Sequence, residues 1–136
     1  MRTIDEIIVH CTATKEGDNI TAADIRRWHK AKGWADIGYH YVVRLDGTIE
    51  EGRPLAVAGA HCVGHNADTI GVVYVGGLDK NGKAADTRTK AQKRALLILI
   101  NGLKKTFNIK KVAGHRDYAN KACPCFDAAK EYGEND

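Results

Sequence analysis

The sequence has 136 residues, 43% hydrophobic and 28% charged, with a net charge of +4. That length permits one domain with its own hydrophobic core, and the balance is that of an ordinary soluble globular chain. With two prolines and no low-complexity tract, the sequence predicts neither a long linker nor a disordered tail. The positive residues are scattered in short pairs such as Arg26-Arg27, Lys104-Lys105 and Lys110-Lys111. These read as solvated faces, so no nucleic-acid partner is expected.

The N-terminus, MRTIDEIIVHC, lacks the apolar core and small-residue cleavage site of a signal peptide. The longest apolar run, ALLILI, is far too short to span a membrane. Synthesis in the cytoplasm, reduced thiols for the four cysteines, and no membrane association are the expectations.

In chain order, EIIVHCTA (6–13) is a β-branched apolar run and predicts a buried strand. TAADIRRWHKAKGW (21–34) opens with Thr21 and Asp24 in capping-box spacing and ends at Gly33, which predicts a helix. GYHYVVRLDGTIEEG (38–52) predicts a hairpin turning at Asp46-Gly47. TIGVVYVGG (69–77) has the character of a central strand. A long helix is predicted from Thr89, with Gln92 as capping partner and Leu96, Leu99, Ile100, Leu103 and Phe107 as its apolar stripe. KKVAGH (110–115) is a short strand that delivers His115 to its end, and FDAAKEY (126–132) begins a last helix. The fold class is therefore α/β, a single domain over residues 1–136 with a central mixed sheet flanked by helices.

Six histidines and four cysteines carry the chemistry. His10 shares a strand face with Ile8 and Thr12, the setting of an interior histidine or of a ligand. His29 reads as packing or surface, and His40 points away from Tyr39. His61 and His65 lie in the loop AHCVGHN, where polar side chains often meet ligands. No His-Glu-x-x-His helix and no Cys-x-x-Cys pair is present, so a metal site has to be assembled from distant segments. Catalytic zinc takes three imidazole or thiolate ligands and keeps one position open. His10, His115 and one cysteine satisfy that count.

Four stretches carry a resemblance: IIVHCTAT, IRRWHKAKGWADIGYHYVVRLDGTIEEGR, TIGVVYVGGLDKNGK and NKACPCFD. Together they resemble the zinc-dependent N-acetylmuramoyl-L-alanine amidases of the phage-lysozyme type, which share a fold with peptidoglycan recognition proteins. The similarity runs in order from about residue 6 to residue 127. It implies His10, His115 and Cys123 as ligands of one Zn2+, and Tyr39 and Lys121 as catalytic residues. His61 and Asn66 fall in the loop that corresponds to part of the substrate groove. The implied substrate is peptidoglycan or soluble muropeptides, and a monomer is expected. The enzyme then acts on the cell wall once released or exported, or on wall fragments in the cytoplasm. The alternative is a non-catalytic peptidoglycan-binding module of the same fold, a class that typically lacks the cysteine ligand.

Cys125 stands where a close relative has serine. Proline and the start of a helix are expected to turn it away from the metal, the other possibility being a fourth thiolate that closes the zinc shell. An extended segment would project Lys121 and Cys123 to one side. Cys11 and Cys62 read as small interior residues. Trp28 and Trp34 are expected to anchor the first helix in the core rather than to stack on sugar.

Overall fold

In the computed structural model, which describes residues 1–133, the apolar runs become strands and the capped segments become helices. The order is β1 (Glu6–Cys11), β2 (Thr14–Lys15), α1 (Ala22–Ala31), β3 (Tyr41–Val43), β4 (Ile49–Glu51) and β5 (Thr69–Tyr74). There follow β6 (Gly77–Leu78), α2 (Lys90–Phe107), β7 (Lys111–Gly114), a 3₁₀ turn (His115–Asp117) and α3 (Ala128–Tyr132).

Five strands form one mixed sheet in the order β4-β3-β5-β1-β7, with β5 in the middle. β3, β5, β1 and β7 run parallel, and only the edge strand β4 is antiparallel. β2 and β6 make a separate parallel pair. Every residue of β5 is buried, as expected of a strand covered on both faces. On one face Ile7, Val9, Val72 and Tyr74 pack with Leu96, Ile100 and Leu103 of α2 and with Phe126 and Tyr132. On the other, Val42 and Val73 pack with Ala22 and Ile25 of α1. Burying each of the large aliphatic side chains contributes about 1.5–3 kcal/mol.

Both predicted capping boxes form: Thr21 with Asp24 opens α1, and Thr89 with Gln92 opens α2. The hairpin turns at Asp46-Gly47, where Gly47 has φ +87°, a left-handed conformation that costs glycine little. The first strand ends earlier than its composition predicts, because Ala13 swings to φ +56°.

The tryptophans depart from the expectation. Trp28 and Trp34 are 40% and 38% exposed, so neither is a core anchor. The buried stripe of α1 is Ala22, Ile25 and His29, and Trp28 lies roughly a quarter-turn round the helix from its centre.

Register decides where function can sit. Val9 pairs with Gly114, so His10 and His115 each follow a paired residue on neighbouring parallel strands. Two histidines more than a hundred residues apart thus arrive side by side at the carboxyl ends of strands, the usual place for a site in a parallel sheet.

Candidate metal centre and active-site cleft

His10 is fully buried, and its Nδ1 lies 3.1 Å from Nδ1 of His115. Two nitrogens on one tetrahedral zinc stand about 3.3 Å apart, given Zn–N bonds of about 2.0–2.1 Å. Cys123 completes the group, with one donor atom from each residue lying within 4.8 Å of the others. This His-His-Cys set can hold a metal ion, and its donor types match those of a zinc site.

Backbone bonds place the cysteine. The N–H of Arg116 donates to the carbonyl of Cys123 at 2.7 Å, and the N–H of Cys125 donates to Ala122 at 2.7 Å. Pro124 packs on Gly114, where a β-carbon would stand 2.8 Å from the proline ring. The hydroxyl of Tyr74 donates to the Pro124 carbonyl at 2.7 Å. The segment is therefore a series of turns and not the extended stretch expected from the sequence. Lys121, whose N–H donates to Ala119, still reaches the cleft beside His115.

Cys125 faces away from the metal group, with its Sγ 3.4 Å from the carbonyl of Gly77. It does not precede the helix directly, since α3 is capped by Asp127, and Cys125 itself sits at φ +73°. Cys11 and Cys62 are buried, as expected.

The electrostatics suit a metal. Burial pushes His10 well below the ordinary histidine pKa, and the neighbouring His61, His115 and Lys121 add to the shift. His115 is lowered by burial and by Lys121. Hydrogen bonding from Cys11 lowers the Cys123 thiol. Neutral imidazoles and an accessible thiolate are the protonation states a metal requires.

A cleft of about 460 Å³ opens over these residues, and Trp34, Tyr39, His61, Asn66, His115 and Lys121 all line it. Tyr39 packs between His10 and His29 in tilted ring contacts, at ring-centroid distances of 5.0 and 5.6 Å. Burial, and then the nearby Cys123 and Cys11, raise its phenol above the ordinary tyrosine value, so it stays protonated. Asn66 braces the loop: its Oδ1 accepts from the N–H groups of His61 and Cys62, both at 3.0 Å. His61 is buried beneath His10, with Nδ1 2.8 Å from Nε2 of His10 and Nε2 3.1 Å from Oγ1 of Thr69.

Sequence reasoning missed Gly71 and Thr69. A β-carbon at Gly71 would lie 2.6 Å from the His61 ring, so the bare glycine is what seats that ring on the sheet. The available signal was a glycine inside a strand, which often marks close approach.

Comparison with known proteins shows the family and the fold. Residues 1–126 match the N-acetylmuramoyl-L-alanine amidase family. The endolysin of Enterobacteria phage T3 is 41% identical over 134 residues, covering 98% of this chain and 89% of that protein. The solved N-acetylmuramoyl-L-alanine amidase LysC from Clostridium intestinale URNW superposes with TM-score 0.82 at 31% identity, covering 96% of this chain and 82% of LysC. Bumblebee PGRP-SA shares the fold, with TM-score 0.79 at 26% identity over 98% of this chain and 83% of its own. Matched by the family model over residues 1–126 and by an endolysin at 41% identity, this chain belongs to the N-acetylmuramoyl-L-alanine amidase family.

Proposed function

We propose that one zinc ion, held by His10, His115 and Cys123, serves this chain in hydrolysing the amide between N-acetylmuramic acid and L-alanine of peptidoglycan. The amidase activity follows from membership of the family and from the endolysin relatives. The observation that carries the metal is the convergence of two lowered histidines and a lowered thiol within 4.8 Å. When bound, zinc supplies Lewis acidity that polarises a carbonyl and lowers the pKa of water.

The remaining chemistry belongs to side chains of the cleft. Amide hydrolysis passes through a tetrahedral oxyanion, and Lys121 is the countercharge available beside His115. Tyr39 keeps its proton, so its hydroxyl can donate to that oxyanion or orient the attacking water. Asn66 and His61 line the cleft, which supports a role for both in receiving the stem peptide.

We further propose that residues 1–136 are one amidase domain, acting as a monomer and without nucleic acid. The last three positions of that range lie outside the described residues. Among the described residues no helix is long and apolar enough to cross a membrane. Its place of action is the cell wall after release from the cell that makes it, or wall fragments inside that cell.

Digestion of sacculi and of muropeptides tests the reaction. New L-alanine amines without new reducing sugar ends are expected. Chelation should stop their release and added zinc restore it. Reducing ends without amines would indicate a glycosidase, which works through paired carboxylates. Neither product would indicate a binding module.

A further inference from the structure

We propose that His61 is a positioning residue that locks His10 in the one tautomer able to ligate a metal through Nδ1. The inference rests on the ligand set proposed above, and it concerns the hydrogen bonds behind that set.

The polarity of the chain is fixed at its far end. Oγ1 of Thr69 lies 2.6 Å from the carbonyl oxygen of His65, which can only accept, so the single hydroxyl proton of Thr69 points there. The oxygen of Thr69 must then accept from Nε2–H of His61, 3.1 Å away. With its proton on Nε2, neutral His61 presents a lone pair at Nδ1. That lone pair accepts from Nε2–H of His10 at 2.8 Å. Nδ1 of His10 is left bare, 3.1 Å from His115 and facing the metal position. One backbone carbonyl thus dictates, through a hydroxyl and two imidazoles, which nitrogen of His10 is free.

The surroundings hold His61 to this task. Its ring is buried and lies on Gly71, where any β-carbon would intrude at 2.6 Å, and against Gly59, where it would intrude at 2.7 Å. Its backbone N–H is pinned by Asn66. His65, whose carbonyl ends the chain, stacks its own ring on Tyr118 at 3.9 Å. Tyr118 follows the 3₁₀ turn that carries His115, so the same loop braces both histidine ligands. Groups that orient a ligating histidine in this way typically change metal affinity 10- to 100-fold when removed.

Nitrogen-15 NMR of the imidazoles in the metal-free full chain tests the proposal without any variant. His10 is expected to carry its proton on Nε2, and a proton on Nδ1 would overturn the inference. Zinc affinity, measured by competition with a chelator, supplies the second readout. H61A should bind zinc on the order of 10- to 100-fold more weakly and lose the single His10 tautomer. H61Q should recover most of the affinity, because its amide oxygen can accept from His10 while its NH₂ donates to Thr69. Wild-type affinity and an unchanged His10 spectrum in H61A would refute the relay. T69V, a near-isosteric change, removes the fixed end and should release the tautomer if H61A fails to fold. An unchanged T69V spectrum then counts against the proposal. H10A separates the two readings: full zinc affinity in that variant would refute the ligand set itself, whatever the His61 variants do.

Discussion

The backbone N–H of Cys11 donates to Sγ of Cys123 across 3.1 Å, tying the strand that carries His10 to the turn that carries the third proposed metal ligand. A thiolate that accepts such a bond is held in place and stabilised before any metal arrives. Cys125, only two residues on, has its sulfur against the Gly77 carbonyl and no part in the group. C123S should therefore lose most of the zinc, because the soft ligand is gone. C125S should keep about one zinc per chain and near-normal activity. Metal analysis of the two purified proteins decides, and equal zinc loss in both would refute the three-ligand set.

Acid should weaken the fold partly through His40. Its Nδ1 accepts from the N–H of Gly71 at 3.0 Å, which leaves Nε2–H to donate to the Val57 carbonyl at 2.9 Å. Burial is the main reason its pKa falls to about 4. Arg2 and Arg53 push the same way, and the Val57 bond opposes them. The unfolded chain protonates histidine near pH 6.5. A folded pKa below the unfolded one means that the contribution is complete above about pH 6.5 and is lost as pH falls towards 4. The loss is on the order of 3 kcal/mol. H40Q should be less stable than wild type at pH 7 yet shed less stability between pH 6.5 and 4. Denaturant melts across that range measure this, and parallel pH profiles would count against the assignment.

Much of the fold was legible because its signals are local. Thr21 with Asp24, Thr89 with Gln92, and Asp46-Gly47 each act within four residues. The metal group depends instead on β1 pairing with β7 across the length of the chain, which no local pattern specifies. His10, His115 and one cysteine could be counted as a zinc set in advance, but the choice of Cys123 came only from the family's motifs. Lys121 was misplaced on an extended segment because the turns around it are closed by Arg116 and Ala122, contacts invisible in composition. His61 was legible as a polar loop residue, but its place under His10 depends on the space left by Gly71.

Arg88 should prove a structural clamp behind the ligand loop. Its side chain is only 2% exposed, and it bonds both oxygens of Asp86 and both of Glu131 at 2.7–2.9 Å. Its guanidinium also lies 3.4 Å from the centre of the Phe126 ring, at the end of the segment that bears Cys123. R88M strands two carboxylates that are only partly solvated. The cost should be about 2–3 kcal/mol, less than for a fully buried pair. R88K keeps the charge but cannot engage two carboxylates as a planar fork, so it should recover only part of the loss. Denaturant midpoints give the comparison. A cost below about 0.5 kcal/mol for R88M would show that the clamp is decorative.

The last prediction separates chemistry from metal binding. Tyr39 and Lys121 both line the cleft, yet neither belongs to the metal group. Y39F keeps the ring that packs against His10 and removes only the hydroxyl, and K121A removes an exposed ammonium. Both variants should therefore retain zinc and melt near the wild-type temperature. Turnover should nonetheless fall by something on the order of 10² to 10³ in each, the usual cost of losing one donor to a developing oxyanion. Because the loss arises in the transition state, it should appear in kcat more than in KM. A raised KM with unchanged kcat in K121A would move that residue from catalysis to substrate binding. Wild-type turnover on muropeptides in either variant would remove it from the catalytic set.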